Sequence, residues 1–193
     1  MKMIKLEKIF VNASARSRNI KTFEQLFSQI DISNVKKVLE VGCGIGVLSS
    51  YLSEKYEWEV TGIDLDPEQI KKAKNDYREN KYLKFLETDA TKLPFGNSEF
   101  DLVLSVDALH HIPNRNRAFD EISRVLEPNG FYVLVDIALP RFFGKFSIPV
   151  DKVINYMKRS SFRIIHGKKP LKINIIGRRF SIIFQKSPNE YHE

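Results

Sequence analysis

The chain has 193 residues, of which 42% are hydrophobic and 28% charged, a size and balance that fit one soluble α/β domain with a full core. No run approaches the roughly 20 apolar residues of a membrane span, Met1–Phe10 lacks a secretory apolar block, and the single Cys43 excludes an intramolecular disulfide, so a cytoplasmic protein is expected. The net charge of +7 is uneven: residues 141–193 carry 12 Lys and Arg against 3 Asp and Glu, residues 1–140 carry 19 against 21. That basic quarter reads first as a solvated lysine-rich face. The same charge would suit an anionic acceptor, an anionic membrane surface or nucleic acid.

In chain order, an irregular polar stretch at Asn12–Arg18 precedes an amphipathic helix marked by Phe23, Leu26, Phe27 and Ile30. Five apolar or β-branched runs then follow, at Lys37–Val41, Glu59–Ile63, Tyr82–Leu86, Phe100–Val106 and Phe131–Ile137, separated by segments of helical character. Such alternation implies a parallel sheet with right-handed crossovers. Asp66-Pro67 supplies an N-cap and a first-turn proline for a helix through about Asn80. Pro113 similarly opens a helix through about Leu126, and Pro128-Asn129-Gly130 turns the chain into the next strand. A helix over Val150–Arg159 and strands at Phe162–His166 and Arg179–Gln185, with Leu171–Ile176 as a further candidate, suggest an antiparallel finish. No repeat or linker divides the chain, which reads as one domain over 1–193.

The sharpest motif is the loop Gly42-Cys43-Gly44-Ile45-Gly46, between a strand and a helix starting at Val47. Glycines there let the backbone turn tightly and approach a ligand. A dinucleotide loop would need glycine where Val47 stands. Glu40, at the strand's end, repels a phosphate at the helix N-terminus but suits a ligand carrying an ammonium and a sulfonium. Asp64 ends the second strand, on the edge where open α/β sheets bind ligands, and can accept from two ribose hydroxyls. Asp66 is read as the helix cap. Asp89, after the third strand, is placed to accept from an adenine amine, and Ser105–Ala108 would floor the pocket.

The series VLEVGCGIG, GIDLDP, ETDATKLPF, FDLVLSVDALHHI and RVLEPNGFYVLVD resembles the class I S-adenosylmethionine-dependent methyltransferases. It looks closest to the (type 11) branch containing the ubiquinone and menaquinone biosynthesis C-methyltransferases. The resemblance covers about residues 36–137. It implies a Rossmann-like α/β fold with a seven-stranded, mostly parallel sheet in the order 3-2-1-4-5-7-6, its last strand antiparallel and helices on both faces. It implies S-adenosylmethionine as cofactor, with S-adenosylhomocysteine as product. Glu40, Gly42, Gly44 and Gly46 would line the methionine end, Asp64 would hold the ribose, and Asp89 and Ala90 the adenine, with Cys43, Leu65 and Ser105 also counted among the cofactor-binding residues. Residues 1–34 would form a helix and lid, 35–140 the cofactor-binding core, and 141–193 an acceptor-side insert and the final strands.

Methyl transfer needs a base only when the acceptor must lose a proton. His110 and His111 are the candidates, with at least one expected to pack structurally, so no catalytic residue is assigned. Adjacent histidines cannot readily chelate one ion, and no metal site is expected. Cys43 has no base and is not read as a nucleophile. The Asn/Asp-Pro-Pro-aromatic signature of amino-directed methyltransferases is replaced by Ser105-Val106-Asp107-Ala108. The favoured function is a methyltransferase for a small, hydrophobic acceptor. The phenylalanine-rich insert Leu139–Pro149 either packs the following helix onto the sheet or shapes an apolar acceptor pocket with a basic rim, suited to a substrate drawn from an anionic membrane surface. A catalytically silent cofactor-binding module, or an RNA or protein methyltransferase using the basic surface, is the alternative.

Overall fold

Hydrophobic alternation along the strands decides which sheet face each helix covers. The computed structural model describes residues 13–138, 148–172 and 178–188. Its elements are α1 (Ala13–Phe27), β1 (Lys37–Val41), α2 (Val47–Tyr56), β2 (Glu59–Asp64), α3 (Pro67–Asp76), β3 (Leu83–Glu87), β4 (Phe100–Val106), a 3-10 turn (Leu109–His111), α4 (Arg115–Val125), β5 (Leu126–Ala138), α5 (Val150–Arg159), β6 (Phe162–Lys172) and β7 (Arg178–Lys186). The strands form one sheet in the order β3-β2-β1-β4-β5-β7-β6, as the resemblance implies. β1 to β5 run parallel, and β7 pairs antiparallel with both β5 and β6.

Because successive strand residues face opposite ways, Val38, Leu102, Leu104, Val133, Val135 and Ile183 bury one face under α1 and α2. Their neighbours Leu39, Val103, Leu134, Ile182 and Phe184 bury the other under α4 and α5. Two apolar layers on one sheet exclude water from both faces, which is the main source of stability here. The C-terminal half of α1 is held by Phe23, Leu26 and Phe27, with Phe27 edge-on to Trp58 and Tyr56 stacked on Trp58 at 4.3 Å. An ion pair of Glu24 with Lys55, and a Tyr51 hydroxyl donating to Glu24 at 2.6 Å, add a polar rim.

Local chemistry explains most boundaries, and corrects some. Asp66 caps α3, accepting from Glu68 N at 2.9 Å, with Pro67 in the first turn. That helix ends at Asp76, short of Asn80. At α4 the cap is Asn114, which accepts from Arg117 N at 3.2 Å, so Pro113 lies before the helix instead of opening it. The stretch read as irregular before Phe23 is helical from Ala13, while Ile30 falls beyond the helix. β3 is one residue later than Tyr82–Leu86. The turn at Pro128-Asn129-Gly130 lies within β5: partners jump from Phe100↔Leu126 to Leu102↔Phe131, so residues 127–130 bulge out, with Asn129 at φ 65°. Leu171–Ile176 is not a separate strand up to Lys172, where β6 ends; residues 173–177 lie outside the described residues.

A buried ionic knot fastens the loop after β3 to α4. Glu121, 6% exposed, accepts from Leu93 N at 2.8 Å and from Arg124 Nη2 at 2.8 Å, and Arg124 donates on to Leu93 O and Phe95 O. Truncation leaves Leu93 N–H and much of the guanidinium without its acceptor, so Glu121→Ala is expected to cost roughly 2–4 kcal/mol. The Arg124 charge and hydrogen bond hold the Glu121 carboxyl below its ordinary range. Its stabilisation is therefore complete above the unfolded carboxyl pKa and is lost as pH falls through the lower folded value. Urea titrations should show the wild-type advantage at pH 7 shrinking in strong acid; an acid-independent gap would contradict the ionic account.

Candidate cofactor site

At the C-terminal edge of β1 the three glycines of the loop all take positive φ: Gly42 77°, Gly44 54° and Gly46 78°. The loop is hemmed in from two sides. A Cβ on Gly42 would fall 2.3 Å from Ala108 Cβ, and one on Gly46 would fall 2.3 Å from Phe85 Cζ. Backbone bonds complete the turn: Gly42 N and Cys43 N both donate to Ile63 O, at 2.8 and 2.9 Å, and Gly46 N donates to Cys43 O at 3.0 Å. The loop thereby rests on the end of β2, where Asp64 takes over.

Asp64 Oδ2 accepts from Gly44 N at 2.9 Å and Oδ1 from Asp66 N at 3.0 Å. One carboxylate therefore positions the glycine loop and the start of α3, and keeps lone pairs for a ligand. Next to it, Leu65 is 68% exposed, a large apolar side chain on the ligand edge of the sheet. Thr88 N donates to Asp64 O at 3.0 Å, which brings the loop after β3 alongside. There Asp89 is exposed and accepts from Thr91 N at 2.8 Å, while Ala90 is buried.

Glu40 is 3% exposed and its carboxyl accepts from the Ser49 hydroxyl of α2. Burial pushes its pKa up to about 8; the Ser49 bond opposes the rise and the Asp64 charge adds to it. A buried acid in this state welcomes a cation, which would restore its ionised form, and penalises an anion. Two carboxyl groups thus flank the loop. Cys43 is 7% exposed and turns inward: its Sγ and Cβ lie 2.9 Å from where a Cβ on Gly62 would stand, and it packs with Ile70, Ala73 and Phe85. Burial, Glu40 and Asp64 all raise the thiol pKa, so this cysteine contributes backbone to the loop and no nucleophile.

Beyond β4 the edge becomes more polar. Ser105 is buried, and its hydroxyl lies toward the buried Tyr132 phenol without a hydrogen bond of ordinary geometry. Asp107, at φ 50°, pairs with Arg179 of β7 at 2.7 Å. His110 is buried with Nδ1 2.6 Å from Asp136 Oδ1, whereas His111 is exposed with its ring 3.9 Å from that of His110. The two histidines thus divide, one packed and one exposed. Among the described residues no group of three metal-ligating side chains gathers, and no helix is long and apolar enough to cross a membrane. Of the lid, residues 1–12 lie outside the described residues, and the backbone is helical from Ala13; of the insert, residues 139–147 lie outside them as well.

The structure therefore gathers Glu40, the glycine loop, Asp64, Leu65, Asp89 and Ala90 along one edge, and turns the side chains of Cys43 and Ser105 away into the core. Sequence reasoning missed Ser49 and Asp136. No local pattern announces them, because each acts on a residue that only folding brings near.

Residues 39–134 match the family described as Methyltransferase domain. The 2-methyl-6-phytyl-1,4-hydroquinone methyltransferase of Synechocystis sp. is 40% identical over 99 residues, 51% of this chain and 31% of that protein. The phthiotriol/phenolphthiotriol dimycocerosates methyltransferase of Mycobacterium tuberculosis is 38% identical over 120 residues, 62% of this chain and 44% of that one. The chain spans less than half the length of these curated relatives. Among solved structures, the PH0226 protein of Pyrococcus horikoshii OT3 superposes with a TM-score of 0.80 at 23% identity, covering 96% of this chain and all of that one, which shows the shared fold. Through residues 39–134, the segment holding the glycine loop, Asp64 and the histidine pair, the chain belongs to the methyltransferase domain family.

Proposed function

We propose that the chain is an S-adenosylmethionine-dependent methyltransferase acting on a small lipophilic acceptor. The observation that carries the cofactor is the buried Glu40 carboxyl behind a tight glycine loop, with Asp64 at its rim. Two acids suit an ammonium and a sulfonium and oppose a pyrophosphate. S-adenosylmethionine supplies an electrophilic methyl group when bound. The glycine loop would admit the methionine end closely, Asp64 would accept from ribose hydroxyls while keeping Gly44 N, and Asp89 with Ala90 would receive the adenine, with the exposed Leu65 as an apolar neighbour. Ser105 and Cys43 contribute through backbone position, since their side chains face inward.

The acceptor reading rests on the relatives. Two are named for a phytyl hydroquinone and for phthiotriol dimycocerosates, both lipophilic. A small molecule of that kind is favoured over nucleic acid, and the basic C-terminal quarter suits contact with an anionic membrane surface. The single cysteine, buried and reduced, accords with a cytoplasmic setting. Holding the acceptor against the methyl group in a dry site can supply much of the acceleration by proximity.

Ligand ranking tests the cofactor. S-adenosylhomocysteine at about 100 times its Kd should stabilise the fold by about 2.7 kcal/mol, a melting shift on the order of 5–10 °C for a domain of this size. NAD should give none, and the reverse order would sink the assignment. Asp64→Ala should weaken calorimetric S-adenosylhomocysteine affinity by about ten- to a hundredfold. Because Gly44 N also loses its acceptor, some stability goes with it. Unchanged affinity would move the ribose elsewhere.

A further inference from the structure

We propose that the ribbon of β6 and β7 docks the chain on an anionic lipid surface, with the ligand edge of the sheet turned toward that surface and the acceptor entering from lipid. The proposal rests on the lipophilic-acceptor reading above and adds to it the docking face and its orientation.

Strand register places the ribbon. Val41, the last residue of β1 before the glycine loop, stands level with Ser105 of β4, and Ser105 with Leu134 of β5. Leu134 is level with Ile182 of β7, and Ile182 with Gly167 of β6. Lys168–Lys172 and Arg178–Ser181 therefore lie beyond the point where the glycine loop leaves the sheet, on the same edge. At roughly 3.3 Å per residue, β7 reaches about 13 Å past that level at Arg178. With neighbouring strands about 4.8 Å apart, β7 lies about 10 Å from the end of β4, across β5. Residues 168–181 hold Lys168, Lys169, Lys172, Arg178 and Arg179, and no Asp or Glu.

The other end of the same edge is acidic. Glu40 is buried there, Asp64 and Asp66 are half-buried, and Glu87 and Asp89 are exposed. An anionic surface is drawn to one end of the edge and repelled from the other, which sets the direction of approach. Protection of an unpaired edge accounts for part of the ribbon: two lysines and Pro170 accompany the register shift between Lys168 and Leu171 on the outermost strand. It does not account for Arg178 and Arg179, which sit on β7 with β5 on one side and β6 on the other. Asp107 pairs with Arg179 at 2.7 Å and offsets one of the five charges. Lys158 and Arg159 have a separate reason to be basic, since they complement the C-terminal end of α5 at the opposite edge of the sheet.

Composition favours lipid over single-stranded nucleic acid, which is held by bases stacked on exposed aromatic rings as well as by charge. Residues 168–179 contain no Phe, Tyr or Trp. Phe180 is 2% exposed and packs in the core with Ile182 and Phe184. A bilayer asks only for charge along its surface. Each Lys or Arg close to an anionic bilayer multiplies partitioning about fivefold, and the attraction fades within a Debye length of about 10 Å at 0.1 M salt.

Co-sedimentation of the full chain with vesicles tests this. Binding to mixed phosphatidylglycerol and phosphatidylcholine vesicles should exceed binding to phosphatidylcholine alone, and should be largely lost by about 0.5 M salt. Lys168→Gln, Lys169→Gln and Lys172→Gln together should weaken it roughly a hundredfold, and Arg178→Gln alone about fivefold. Lys36→Gln, Lys37→Gln and Lys158→Gln together remove the same charge from the opposite edge of the sheet and should cost about twofold or less. If the ribbon triple fails to fold, Arg178→Gln against Lys158→Gln reads the same contrast. Equal losses at the two edges, or no vesicle binding at low salt, overturn the docking face. Polyuridylate bound more tightly than vesicles, and released by the ribbon variants, overturns lipid in favour of nucleic acid. Calorimetric binding of S-adenosylhomocysteine, measured in parallel, should be unchanged in every variant. A chain that docks but does not bind S-adenosylhomocysteine overturns the methyltransferase reading, and one that binds it but does not dock overturns the docking alone.

Discussion

Glu40→Gln is expected to make the ligand-free chain more stable at pH 8 while weakening its hold on a cationic ligand. The Glu40 carboxyl is buried and its pKa is raised to about 8, against about 4.3 for an unperturbed glutamate. A raised folded-state pKa means that the native state holds the proton more tightly than the unfolded chain. Its stabilisation is complete below the unfolded pKa and is lost as pH rises through about 8. Glutamine has no such slope and can still accept from Ser49. Urea titrations should therefore find wild type and variant similar near pH 5 and separated by a few kcal/mol, on the order of the linkage value, by about pH 8. Parallel pH curves would show that Glu40 is not the group responsible. Binding should move the opposite way. A sulfonium and ammonium ligand draws the proton off Glu40, so uptake in wild type releases protons to buffer. The variant should lose that release and roughly ten- to a hundredfold in affinity for S-adenosylmethionine, the worth of one charge-assisted contact. A group that costs stability where it sits, beside a ligand loop, is a common mark of a binding site.

Gly46→Ala is expected to be among the most damaging single-carbon additions in the chain, and far worse than Gly44→Ala. Both positions have positive φ, so each alanine meets the left-handed penalty of roughly 1–2 kcal/mol. They differ in what surrounds the added carbon. At Gly44 the nearest atom is Gln69 Oε1 at 3.8 Å, ordinary contact with a flexible side chain. At Gly46 the new Cβ would lie 2.3 Å from Phe85 Cζ and 3.3 Å from Ala73 Cβ. Phe85 is 5% exposed in a small cluster with Ile70 and Ala73, so its ring has little room to retreat. Overpacking adds roughly 1–3 kcal/mol. Chemical denaturation should give a loss of about 2–5 kcal/mol for Gly46→Ala and about 1–2 for Gly44→Ala. Equal losses would mean that backbone strain alone set the cost and that Phe85 moves freely.

Signals carried by a few neighbouring residues settled their own structure. Asp66-Pro67 caps α3 as read, because cap, proline and first turn lie within four residues of one another. Lys37–Val41, Phe100–Val106 and Val150–Arg159 fall where their apolar patterns put them, and the glycine loop turns where its three glycines allow. Between strands of similar composition, the order 3-2-1-4-5-7-6 came from a resemblance, since nothing in an apolar run names its neighbour. Where long-range contacts decide, local reading stopped. The helix α1 extends back to Ala13, through residues that carry few apolar markers, while Phe23, Leu26 and Phe27 dock its C-terminal half beside Leu48, Leu52 and Trp58. Asn114 displaced Pro113 at α4 because a side-chain acceptor can bond the freed Arg117 N–H. The site divides the same way. Glu40 and Asp64 were legible by strand-end position, yet the protonation of Glu40 depends on Ser49 and on burial that the finished sheet imposes. The histidine pair was visible as two equal candidates. Only the parallel pairing of β4 with β5, which sets Val106 beside Val135 and so brings Asp136 under His110, made one of them buried and hydrogen-bonded to a carboxyl group and left the other exposed.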